Sequence, residues 1–136
     1  MELQTYTKKK PKGGSKSTMG IMNINHVGRI GINVFLQRTL KLQPGYRLLI
    51  ARDLTSRNDW YASFSQAGEG YTLKYLKNER PEVGMTSCYQ KGMIRELLDS
   101  VKAERSASLF VATGNPQIHD GRTWYRILTS TPKFIR

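Results

Sequence analysis

The side chains with the widest chemical repertoire are few in this chain: one cysteine, Cys88, and two histidines, His26 and His119. A single cysteine cannot supply the ligand pairs of a zinc site, and the histidines lie far apart in the sequence. His119-Asp120-Gly121 falls where a hairpin turn is expected, and Asp-Gly there is turn chemistry. Cys88 with either histidine would make a thiol nucleophile only if the fold brought them together, and no local pattern supports that. Asp53 and Asp59 share a polar loop, each close to basic residues. "GGSKST", residues 13–18, has the composition of a phosphate-cradling loop, but no strand precedes it and the spacing to an upstream glycine is wrong. The sequence therefore offers no catalytic set, no metal site and no cofactor site, and reads as a non-enzyme.

Binding chemistry is better represented. Lys and Arg number 22 against 10 Asp and Glu, a net charge of +12. The excess divides evenly: residues 1–19, 20–76 and 77–136 each carry +4. A basic tail alone could serve solubility. A basic body as well points to a polyanion, because each neutralised phosphate releases counterions. The candidate phosphate-contacting side chains are Arg29, Arg38, Lys41 and Arg47 in the body and Lys8, Lys9, Lys10 and Lys12 in the tail. Aromatics interleave with basic residues on expected strands, as they do in single-strand binders that stack bases. Strand alternation puts Trp60 with Ala62 and Phe64 on one face and Tyr61 on the other, and Tyr125 opposite Trp124 and Arg126. Trp60, Tyr61 and Tyr125 are the stacking candidates; Phe64 and Tyr75 read as packing residues.

These side chains need elements to hold them. Residues 1–20 mix Lys, Gly, Ser and Pro with little apolar content and are expected to be a flexible basic tail. Residues 21–136 form a single α+β domain in this reading. "IMNINHVGRIGI" (21–32) alternates and is interrupted at Gly28. Asn33 is a good N-cap for a short helix with Leu36 and Leu40 on one face. Pro44-Gly45 turns the chain into the apolar run "YRLLIARD". "WYASF" (60–64) and "YTLKYLK" (71–77) both alternate, which predicts a β-hairpin over 60–77. Ser87 to Gln90 has capping-box spacing, and Met93, Ile94, Leu97, Leu98 and Val101 recur at helical spacing, giving one main helix to about Ala103. "SASLFVAT" and "RTWYRIL" then make a closing hairpin around "GNPQIHDG". No internal repeat stands out. The expected architecture is a bent antiparallel sheet of about five to seven strands with one main and one short helix.

The run Gly28-Arg29-Ile30-Gly31-Ile32, the helix Leu36-Gln37-Arg38-Thr39-Leu40, the stretch Leu42 to Ile50 and "EGYTLKYLK" resemble the AbrB/SpoVT/MazE-type swapped-hairpin DNA-binding domains. The resemblance covers residues 24–77, so the chain divides into an AbrB-like part (21–77) and a helix plus hairpin (78–136). Asn33 stands where that family usually has Pro, its usual acidic residue near Tyr46 is absent, and residues 51–64 exceed its tight connection. The resemblance implies a dimer of interleaved hairpins and DNA contacts from Arg29 and Arg38. The expected function is non-catalytic nucleic-acid binding by a dimeric, duplex-DNA regulator from a bacterium or a mobile element. The alternatives are a single-strand binder using sheet aromatics, and a virion or assembly protein with a basic docking tail. No apolar run approaches membrane-spanning length. With no secretory signal pattern, the expected location is the cytoplasm or a phage particle.

Overall fold

The computed structural model describes residues 19–56, 59–77 and 80–136. Its strands are β1 (Gly20–Asn25), β2 (Arg29–Ile32), β3 (Arg47–Arg52), β4 (Trp60–Ser65), β5 (Tyr71–Thr72), β6 (Lys74–Tyr75), β7 (Met85–Cys88), β8 (Ser106–His119), β9 (Arg122–Leu128) and β10 (Phe134–Ile135). Helix α1 (Val34–Thr39) follows β2, and α2 (Lys91–Ser100) follows β7. All strand pairs are antiparallel, in the order β5-β3-β4-β9-β8-β1-β2-β7-β6, with β10 beside β8.

The two ends of that order are one piece of chain. Tyr71 and Thr72 pair with β3, Lys74 and Tyr75 pair with β7, and only Leu73 separates them. The Leu73 N–H donates to the Tyr46 carbonyl at 2.8 Å, and its own carbonyl accepts from Gly45 N–H at 2.9 Å. Five residues therefore bind both edges of the sheet and bend it into a nearly closed barrel. Barrel closure removes the unpaired edges that make strands prone to association. Strand makes up 46% of the structure and helix 17%.

This corrects the expected α+β bent sheet with one main helix. The misreading lay in 60–77, which is not a hairpin. β4 pairs with β3 and β9, while residues 71–75 go to β3 and β7. Alternation in sequence identifies a strand but carries no address for its partner. Residues 85–88, for which the sequence reading gives no strand, supply β7. Ser87 therefore lies in a strand, and the cap of α2 is Gln90, whose Oε1 accepts from Met93 N–H at 2.6 Å.

The chain also repeats its path. Strands β1-β2, helix α1 and strands β3-β4 form one unit; residues 71–75, β7, α2 and β8-β9 form a second of the same order. The second strands pair with each other (β2 with β7), as do the fourth strands (β4 with β9). Each first strand pairs with the other unit's third strand, β1 with β8 and β5 with β3. The barrel is thus a topological twofold of one β-β-α-β-β unit. Both helices are capped alike, since Asn33 Oδ1 accepts from Leu36 N–H as Gln90 does for Met93. Gly28, with φ +93, stands before β2, where a Cβ would meet the Tyr89 carbonyl oxygen at 2.6 Å. Gly84, with φ +113, stands before β7 and would meet the Ile32 oxygen at the same 2.6 Å. Only glycine adopts these conformations without strain. The strand edges that an interleaved second chain would cover in the AbrB-like reading are covered here by the chain's own second unit.

Inward positions of the strands fill the barrel: Met22, Ile24, Ile30, Ile32, Leu48, Ile50, Trp60, Ala62, Leu109, Val111 and Ile127 are all buried. Leu36 of α1 and Ile94, Leu97 and Leu98 of α2 join the same core. Burying each such side chain contributes about 1.5–3 kcal/mol relative to exposure.

Candidate nucleic-acid interface

The outer face of the barrel is set by strand register. Reading across the sheet, Ser108 pairs with Asn23, Asn23 with Gly31, Gly31 with Thr86, and Thr86 with Lys74. These positions share one face because register partners point the same way. The result is a row of small residues over β8, β1, β2 and β7, with the polar side chains of Ser108 and Asn23, the bare backbone of Gly31 and the buried Thr86, ending at the exposed Lys74. A concave surface lies over it in two adjoining parts. One, of about 930 Å³, is lined by Asn23, Phe35, Arg38, Glu82, Ser108 and Lys133 among others. The second, of about 290 Å³, is lined by Asn23, Asn25, Arg29, Thr86, Ser108 and Phe134 among others. Asn23 and Ser108 belong to both, so the two parts form one groove.

Arg29 and Arg38 therefore meet on one surface. Arg29 is held on β2, its backbone N–H donating to Asn25 Oδ1 at 3.2 Å. Arg38 projects from α1, which is anchored by its cap. Asn33 Oδ1 accepts from Leu36 N–H and from Ile21 N–H, each at 3.0 Å, and Asn33 Nδ2 donates to the Met19 carbonyl. One side chain so fixes the start of the helix against β1. Both arginines are exposed, and neither forms an ion pair among the described residues. Glu82 is the acid on the groove wall, and its carboxylate accepts from Arg80 Nε at 2.6 Å. That hydrogen bond holds Glu82 below the usual carboxylate range. On the groove floor, Ser108 Oγ donates to Asn23 Oδ1, which leaves the Asn23 amide N–H groups as donors.

Other candidates go elsewhere. Arg47 on β3 donates from Nη1 to the Gly68 carbonyl at 3.0 Å and does not line the groove. Lys41 is exposed just past α1 in a left-handed conformation, also away from the groove lining. The tail lysines Lys8, Lys9, Lys10 and Lys12 lie outside the described residues.

The stacking candidates need correction. Trp60 is fully buried in the core; its Nε1 donates to Ser100 Oγ at 3.0 Å, and the Arg52 guanidinium covers its ring at 4.8 Å. It cannot meet a base. Tyr125 pairs with inward-facing Ala62 and packs against the core beside Phe64, ring centroids 6.4 Å apart. Tyr61 alone of the three stands on the outer face, paired with Arg126. Sequence reasoning missed Asn23, Asn25, Ser106, Ser108 and Lys133. A signal was present for the first four. Asparagine is depleted in strands, yet Asn23 and Asn25 occupy alternate positions of one. Ser106 and Ser108 do the same on the strand that pairs with it.

No group of three or more His, Cys, Asp and Glu side chains suited to a metal ion occurs among the described residues. No described helix is long and apolar enough to cross a membrane. Comparison of the chain with family models, with curated proteins and with solved structures finds no match.

Proposed function

We propose that this chain is a non-catalytic nucleic-acid-binding protein that lays the backbone of duplex DNA along the groove over β1. The observation that carries the reading is the placement of Arg29 and Arg38 on one concave face, neither in a close ion pair among the described residues, with Glu82, whose carboxylate is held by Arg80, the acid near Arg38. A guanidinium fork matches phosphate oxygens and guanine edges, and a strand or capped helix holds it at low entropic cost. Lys74 and Lys133 extend the positive rim, and the tail lysines would add to it. The floor favours duplex over single strand. It carries Asn23 and Ser108, which donate and accept hydrogen bonds, whereas the aromatics Phe35 and Phe134 come from α1 and β10 and line different parts of the groove. Stacking of successive bases needs aromatics in a row.

The experiment is fluorescence anisotropy with a labelled duplex and with the matching single strand at two salt concentrations. Tighter duplex binding that weakens steeply with salt supports the proposal. Equal or no binding of both at low salt overturns it.

A further inference from the structure

The opposite side of the barrel carries a second concavity. β8 runs on past the barrel wall, and its last residues pair with the start of β9 to make a two-stranded arm: Gln117 with Trp124, Ile118 with Thr123, and His119 with Arg122. The register shift between Ala112 and Gln117 redirects this arm, as extra residues in one strand do. Period-two alternation gives the arm two faces. Gln117, His119, Arg122 and Trp124 share one; Ile118, 70% exposed, lies on the other. The first face turns toward the wall made by β3 and β4. Between them lies a cleft of about 420 Å³ lined by Ala51, Arg52, Asp53, Leu54, Tyr61, Gln117, His119 and Trp124. That volume lies within the range of small-ligand sites.

Its chemistry is specific. Three aromatic rings, Tyr61, His119 and Trp124, line one small space. Gln117 brings an amide that both donates and accepts. Asp53 is already engaged, its Oδ1 accepting from the N–H groups of Thr55 and Ser56 at 2.7 and 3.2 Å. Arg52 is engaged too, with Glu96 and Ser100. Arg122 stands just outside the lining, paired across the arm with His119; its guanidinium lies 6.0 Å from the centre of the Trp124 ring, and its Nη1 is buried with no hydrogen-bond partner among the described residues. A buried donor left unpaired is costly, and a bound acceptor would relieve that cost.

We propose that this cleft binds a nucleotide, with the base against Tyr61, His119 and Trp124, the Gln117 amide at a base edge, and a phosphate oxygen at Arg122. The base is supplied either by a free mononucleotide or by an unstacked position of a strand. The cleft lies on the face opposite the groove over β1, so the proposal stands independently of the duplex-binding reading.

The chain has a built-in probe. It holds two tryptophans; Trp60 is fully buried, and Trp124 lines the cleft. Quenching of intrinsic fluorescence therefore reports on the cleft. The full chain is titrated with adenosine 5′-monophosphate, thymidine 5′-monophosphate, a short oligo-dT and, as a ring-free control, ribose 5-phosphate. Saturable quenching by a mononucleotide assigns the site to free nucleotide; saturable quenching by oligo-dT alone assigns it to a strand. In either case Trp124→Phe abolishes the signal, and Tyr61→Ala and Arg122→Gln each weaken binding about tenfold, the scale of one lost stacking or charge-assisted contact. Arg122→Gln keeps the site readable should Tyr61→Ala fail to fold. Quenching by none of the three base-containing probes, quenching by ribose 5-phosphate as strong as by the mononucleotides, or full affinity in the Arg122→Gln variant would overturn the proposal. Duplex affinity is measured on the same variants and stays at the wild-type value. Loss of duplex binding in the wild type therefore removes only the groove reading.

Discussion

Replacing Arg29 and Arg38 together by alanine tests the groove most directly, because the expected effect is a slope rather than a mere loss. On duplex DNA each neutralised phosphate contributes about 0.9 to the slope of log affinity against log salt. If both arginines hold phosphates, the double variant has a slope shallower by about 1.8. Between 50 and 200 mM salt, a fourfold rise, the wild type should then lose roughly 12-fold more affinity than the variant. Both side chains are exposed and lack ion pairs among the described residues, so their removal should change stability by no more than about 0.5 kcal/mol. Arg126→Ala serves as control: that arginine lines neither part of the groove and is already paired with Asp59 at 2.6 Å, so its loss should leave the slope unchanged. The assay is duplex anisotropy at four or more salt concentrations, with urea unfolding to confirm the fold. A double variant whose slope equals that of the wild type, with its fold intact, would refute the reasoning. So would a slope change as large in the Arg126 control.

Three further outcomes probe the scaffold. Leu73→Ala should cost about 2–5 kcal/mol in urea unfolding, because Leu73 is fully buried and sits between the two half-strands that close the barrel; a cost under about 1 kcal/mol would mean that closure contributes little. Asn33→Ala should cost about 1–3 kcal/mol, more than an ordinary cap, since its Oδ1 serves both Leu36 and Ile21; duplex affinity should fall with it through loosening of Arg38. Burial raises the pKa of Tyr89, whose hydroxyl accepts from Ile50 N–H at 2.7 Å. A raised folded-state pKa means that this stability is fully present below the unfolded value near 10 and is lost as pH rises through the folded value. The urea midpoint should therefore drop above pH 10 in the wild type and drop less in Tyr89→Phe, which starts from a lower midpoint because Ile50 N–H loses its acceptor; equal pH dependence in the two proteins would argue against the assignment.

Much of the local grammar was legible in the sequence. Asn33 caps a helix as its position implied, and Leu36 is buried beneath it. The alternation of Met22 and Ile24 with Asn23 and Asn25 fixed the inner and outer sides of β1, and Ala62 and Tyr61 did so for β4. The run from Met93 to Leu98 made its helix. These features are set within a few residues, by steric preference and by the period of the backbone, so the local sequence contains what decides them.

What the sequence did not contain was partnership. Nothing in Tyr71 to Tyr75 says that its two halves serve opposite edges of one sheet, and nothing in Met85 to Cys88 says that it pairs with β2. The repeat was invisible because the two units share a path while keeping few residues in common. Strand alternation alone leaves Trp60 open between stacking and packing, and only the position of α2 places Ser100 on its indole nitrogen. The sequence by itself determined which residues form elements, which side each side chain takes, and that the chain is strongly basic. The tertiary structure alone decided which strands meet, that they meet around a closed circuit, and that Arg29 and Arg38 share a groove. The reason is physical: side-chain alternation is a property of one strand, whereas register and closure depend on backbone hydrogen bonds between segments distant in the chain, to which every side chain contributes only through the packing of the whole core.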